Sequence, residues 1–143
     1  MIVGREQTLS SADYRALSRF RFQIRRFLHF SEEAARGEGL EPQQHQMMLA
    51  IEASEEGRGP TVGHLADQLL VRHHSAVGLL DRLEERGLVE RVRDGEDRRQ
   101  VHVRLTRAGS DKLHRLARAH RDELRQSGPA LVEALAAVIE GEA

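Results

Sequence analysis

The sequence predicts a mainly α fold carrying one small antiparallel β-hairpin (α+β). Apolar residues recur at helical spacing along most of the chain. That period gives way to alternation in only two short stretches, Val89 to Arg93 and Gln100 to Thr106. Between them lies the polar run Asp94-Gly95-Glu96-Asp97-Arg98-Arg99, with an Asp-Gly turn pair. A two-stranded hairpin is marginal alone, so it must lean on the helices beside it.

Ser10 or Ser11 can cap a first helix over about 10–36, with Leu17, Phe20, Ile24, Phe27 and Leu28 in helical spacing and Gly37 and Gly39 at its end. Pro42 suits the first turn of a second helix, which carries Met47, Met48, Leu49 and Ile51. A short third helix holds Leu65, Ala66, Leu69 and Leu70. A fourth, about 73–86, buries Ala76, Leu79, Leu80 and Leu83 and stops at Gly87. In the second strand Val101, Val103 and Leu105 share one face, and His102 and Arg104 the other. Leu113, Leu116, Leu124, Leu131, Leu135 and Ile139 then predict two helices over 107–140, broken at Ser127-Gly128-Pro129.

At 143 residues the chain fits one domain. With 31% charged and 39% hydrophobic residues it reads as globular, and 3% aromatics leave the core to Leu, Val, Ala and Ile. The absence of cysteine excludes disulfides and thiolate chemistry. No membrane span or secretory leader is visible, so a cytoplasmic location is expected. Net charge is −1, but the charges are sorted: five arginines and no acids from Tyr14 to Phe30, seven acids and one arginine from Ser31 to Gly57. Such a chain can still present a basic face.

Two short helices followed by a hairpin describe a winged helix-turn-helix, here over 42–106 with the wing at 89–106. Leu65, Ala66 and Leu69 pack the first helix of the pair and Val71 plugs the turn. Leu70 sits in that turn, where glycine is common. Arg72, His73, His74, Ser75 and Val77 are left on the open N-terminal end of the second helix, which in this geometry meets base edges in the major groove.

The stretch Leu83-Glu84-Glu85-Arg86-Gly87-Leu88-Val89-Glu90-Arg91, followed by Asp97-x-Arg99 and Val103-x-Leu105-Thr106, resembles the MarR family of multiple antibiotic resistance regulators. Glu41-Pro42-Gln43-Gln44 resembles the family's opening of its second helix, with Glu41 replacing a hydroxyl residue. The resemblance implies that Asp97 orients Arg99 toward the minor groove, that Arg98 and Arg93 contact phosphates, and that the terminal helices, 10–36 and 107–140, form a homodimer. The alternative for Asp97 and Arg99 is a surface ion pair worth ~0–1 kcal/mol. The resemblance further implies a repressor of a pseudo-palindromic operator on double-stranded DNA, relieved by a small aromatic or anionic ligand. Phe27, His29, Phe30, His45 and Met48 are the candidate ligand pocket.

No cofactor, catalytic residue or metal site is expected. Adjacent His73 and His74 diverge by ~100° and cannot chelate one ion. No phosphate loop or nucleophile elbow is present, so an enzyme is not expected. Two rival readings are a metal-responsive regulator of the same fold and a helical interaction module that does not bind DNA.

Overall fold

The computed structural model describes residues 8–93 and 100–141. Its elements are α1 (Ser11–Gly37), α2 (Pro42–Ala53), α3 (Val62–Leu69), α4 (His73–Glu85), β1 (Val89–Arg93), β2 (Val101–Leu105) and α5 (Arg107–Glu140). They group into two compact units, one of the residues up to Ser31 with those from His120 onward, the other of Glu32–Ala119.

In the first unit, Ser10 caps α1. Its hydroxyl accepts from the Asp13 amide at 3.2 Å and its own amide donates to the Asp13 carboxylate at 2.7 Å, a capping box built with the shorter acid. Phe27 and Phe30 present edges to His120, with centroids 6.0 and 5.4 Å apart, and His120 Nε2 lies 2.8 Å from the Ser31 hydroxyl. Leu9, Tyr14, Leu17, Val132, Leu135 and Ile139 remain exposed.

One expectation is corrected in this unit. Residues 107–140 form one helix, not two, and α5 runs through Ser127-Gly128-Pro129. Proline removes one helical hydrogen bond and crowds the carbonyl four residues back, a cost of about 3 kcal/mol. It does not override the stripe of Leu124, Leu131, Ala134 and Val138, which keeps helical spacing on both sides of Pro129.

The second unit has a core of Ala35, Leu40, Met47, Met48, Ile51, Leu65, Leu80, Leu83, Val89, Val103, Leu113 and Leu116. The strands pair antiparallel, Val89 opposite Leu105 and Arg93 opposite Val101. His102 departs from simple alternation: it is buried, although it shares a strand face with exposed Arg104. The segment before α3 covers it. Thr61 bridges His102 antiparallel, the Val103 amide donates to the Pro60 carbonyl at 3.0 Å, and His102 Nδ1–H donates to the Gly59 carbonyl at 2.7 Å.

Thr106 joins three elements. Its amide donates to the Leu88 carbonyl at 3.1 Å and its hydroxyl donates to the Gly87 carbonyl at 2.6 Å. The same hydroxyl accepts from the Gly109 amide at 3.2 Å, capping α5. Gly109 lets α5 pass directly over Leu88, since a Cβ there would lie 2.1 Å from the Leu88 carbonyl oxygen. Farther along, Arg115 holds Glu38 through two hydrogen bonds of 2.9 and 3.0 Å, and Lys112 Nζ donates to the Glu38 carbonyl at 2.7 Å. The bond from Arg115 lowers the Glu38 carboxyl below its ordinary 4.5.

Gly109→Ala is expected to destabilise the protein by about 2–3 kcal/mol through backbone overpacking, measured by urea unfolding. Glu38→Gln should cost stability only where Glu38 is ionised. Because its folded value is depressed, the difference from wild type is complete above 4.5 and vanishes as pH falls through the lowered value. Unfolding midpoints between about pH 3 and 7 read this directly.

Candidate nucleic-acid interface

The geometry of α3 and α4 begins with how helices stop in this unit. α1 and α4 end in the same motif. The Leu40 amide donates to the Ala35 carbonyl at 2.9 Å around Gly39, and the Leu88 amide donates to the Leu83 carbonyl at 3.0 Å around Gly87. Both glycines are left-handed, φ 76° and 71°. α3 ends the same way without glycine. The Val71 amide donates to the Ala66 carbonyl at 3.1 Å around Leu70, which holds φ 55° and is 93% exposed. That left-handed residue turns the chain between α3 and α4, and Val71 packs against the core.

α4 then buries Ala76, Leu79, Leu80 and Leu83 and offers its opposite face outward. Arg72 is its N-cap residue, in extended conformation, and its side chain makes no capping hydrogen bond. Arg72, His73 and His74 are exposed, and Ser75 and Val77 are half-buried. Amides at a helix start, reinforced by the helix dipole, favour an anion. The start of α3, His73 and the start of β2 meet around a concavity of about 270 Å³ lined by Thr61, Val62, Gly63, His73, Gln100 and Val101. The helix start and the hairpin are therefore neighbours on one surface.

Arg93 is exposed at the end of β1. Asp97, Arg98 and Arg99, with their expected ion pair, lie outside the described residues. Sequence reasoning missed Arg91. Its guanidinium donates to Asp81 at 2.7 Å and to Glu84 at 3.1 Å, tying β1 to α4. The signal was available, since carboxylates three apart share one helix face.

The five candidate ligand residues fall in both units. Phe27 and Phe30 pack on His120, and His29 is exposed. His45 and Met48 are buried on α2, Met48 wholly within the core of its own unit. Among the described residues no group of three His, Asp or Glu side chains could hold a metal, and no helix is long and apolar enough to cross a membrane.

Together α3, its turn, α4 and the hairpin define a winged helix-turn-helix protein. Residues 38–100 match the model of the MarR family. The transcriptional activatory protein BadR of Rhodopseudomonas palustris is 35% identical over 89 residues, 62% of this chain and 51% of BadR. The chain thus spans about half the length of the curated relative it matches. AbsC, a MarR-family transcriptional regulator from Streptomyces coelicolor, shares the fold with a TM-score of 0.71, 21% identity, and coverage of 85% of this chain and 81% of AbsC. A MarR-family protein from Bacillus stearothermophilus gives 0.70 at 23% identity, covering 83% and 81%. MepR of Staphylococcus aureus in complex with DNA gives 0.61 at 21%, covering 76% and 78%.

Leu70→Gly should stabilise the protein by about 0.5–1 kcal/mol. Relief of a left-handed non-glycine residue, about 1–2 kcal/mol, exceeds the added freedom of glycine in the unfolded chain. Equal or lower stability in urea would show that the exposed leucine makes contacts that offset its strain.

Proposed function

We propose that this chain is a DNA-binding transcription regulator that binds a pseudo-palindromic operator as a homodimer in the cytoplasm. The observation that carries the reading is the start of α4, where Arg72, His73 and His74 are exposed on the surface that also bears the hairpin. In a helix-turn-helix that end reads base edges. His73, His74, Ser75 and Val77 are assigned to base edges, Arg72, Arg93 and Arg98 to phosphates, and Arg99, oriented by Asp97, to the minor groove.

The homodimer is supported by the exposed apolar residues near both termini: Leu9 and Tyr14 at one end, Val132, Leu135 and Ile139 at the other. A second copy would bury them across a two-fold axis and place two reading helices for two half-sites. The reading includes repression, relieved by a small aromatic or anionic compound. BadR is by its name an activator, so a reporter fused to the recovered operator is the arbiter of sign. A metal-responsive variant of this reading finds no metal cluster among the described residues in its support.

Purified protein should select a two-fold-related sequence from random DNA and bind it with steep salt dependence. Arg99→Ala should weaken operator binding while leaving the fold intact, and flatten the salt slope by about one unit where a phosphate charge is lost. Leu135→Asp with Ile139→Asp should give monomeric or unfolded protein in sedimentation at micromolar concentration. A wild-type chain that stays a folded monomer and binds no DNA is instead a helical interaction module.

A further inference from the structure

We propose that Gly78 and Arg82 form one specificity-determining element on α4: Gly78 leaves the middle of the helix's open face bare, and Arg82, seated over it, reads a guanine edge. The inference rests on the regulator reading above and adds a contact outside the residues assigned there. Ala76, Leu79, Leu80 and Leu83 mark the core side of α4. At ~100° per residue the opposite side is centred on His74, Gly78, Asp81 and Glu85. Gly78 therefore lies where a reading helix comes nearest the floor of the groove.

Folding does not ask for glycine at this position. Its backbone has no positive φ. Among the described residues a Cβ would meet only the Arg82 guanidinium, at an ordinary 3.5 Å. Glycine inside a helix costs stability relative to alanine, so its presence has to be explained by what approaches the helix from outside.

Arg82 occupies the space in front of it. Its Nε donates to the Gly78 carbonyl at 3.2 Å. Helical side chains lean toward the N-terminus, so this bond draws the guanidinium back one turn, toward His74 and away from Glu85. Asp81, the carboxylate beside it in sequence, is held by Arg91 at 2.7 Å. Among the described residues Arg82 makes no ion pair. With Nε bound to the backbone, the two terminal nitrogens are left as a planar fork. In the major groove that fork matches the O6 and N7 acceptors of guanine.

The test uses the full-length chain with a site selected from random DNA and a scrambled control, at constant salt. Gly78→Ala should raise the thermal midpoint by about 2–4 °C yet weaken operator binding about tenfold, leaving scrambled DNA unaffected. Arg82→Lys keeps the charge and loses the fork. It should retain affinity for scrambled DNA and lose about tenfold in operator preference, with the loss confined to a G·C pair in each half-site. Unchanged operator affinity in Gly78→Ala, or unchanged preference in Arg82→Lys, overturns the proposal. A loss shared equally by operator and scrambled DNA makes Arg82 a phosphate contact and overturns the guanine assignment. Should wild-type protein select no sequence at all, the regulator reading falls with it, an outcome distinct from a selective wild type with indifferent variants.

Discussion

The Glu32–Ala119 unit depends on the seam at Thr106. One hydroxyl donates to the carbonyl of Gly87 and accepts from the amide of Gly109, while the Thr106 amide takes the Leu88 carbonyl. These bonds satisfy polar groups at the end of α4 and the start of α5 that would otherwise be stranded next to the buried Leu88 and Val89. Gly109 allows the approach, because any side chain there would displace the Leu88 backbone. The hairpin leaves and returns at this point, so its base is anchored to helices on both sides. That answers the weakness of a two-stranded ribbon. The second anchor is the strip from Gly59 to Thr61, which covers β2 and explains the buried His102.

The same unit shows how a helix-turn-helix is made from helix ends. Three helices stop by folding a left-handed residue under a returning amide, and each stop delivers an apolar residue, Leu40, Val71 or Leu88, to the core. The stop at Leu70 sets the turn that exposes the start of α4. Charge is arranged along α4 to match. Its first turn carries no acid, while Asp81, Glu84 and Glu85 cluster at the far end. Arg91 takes up Asp81 and Glu84 and in doing so fixes β1 against the helix. These are partly exposed pairs worth ~0–1 kcal/mol each, so their effect falls on orientation more than on stability.

The other unit has a different economy. Its described side chains form a small aromatic cluster around His120 and leave large apolar residues in water near both ends. Ile139 is 74% exposed and Val132 67%. Such exposure is ordinary for single residues. Repeated on both terminal segments, it supports a partner surface of the same chain.

The sequence by itself determined the fold class, the helix-turn-helix and the paired strands, because periodicity and Gly87 are local signals that act within a few residues. The switch of period near Val89 and the returning Leu105-Thr106 were legible for the same reason. Tertiary structure decided the rest. Pro129 reads locally as a break, yet α5 continues, since the apolar stripe on both sides outweighs one lost hydrogen bond. His102 reads as sharing the strand face of Arg104, opposite Val101, Val103 and Leu105, yet a segment some 40 positions earlier covers it through the bond to Gly59. Arg91 reads as one charge among many until the hairpin and α4 are packed together and two carboxylates meet it. Local pattern specifies which backbone conformation is cheap, and only packing specifies which distant groups share a face.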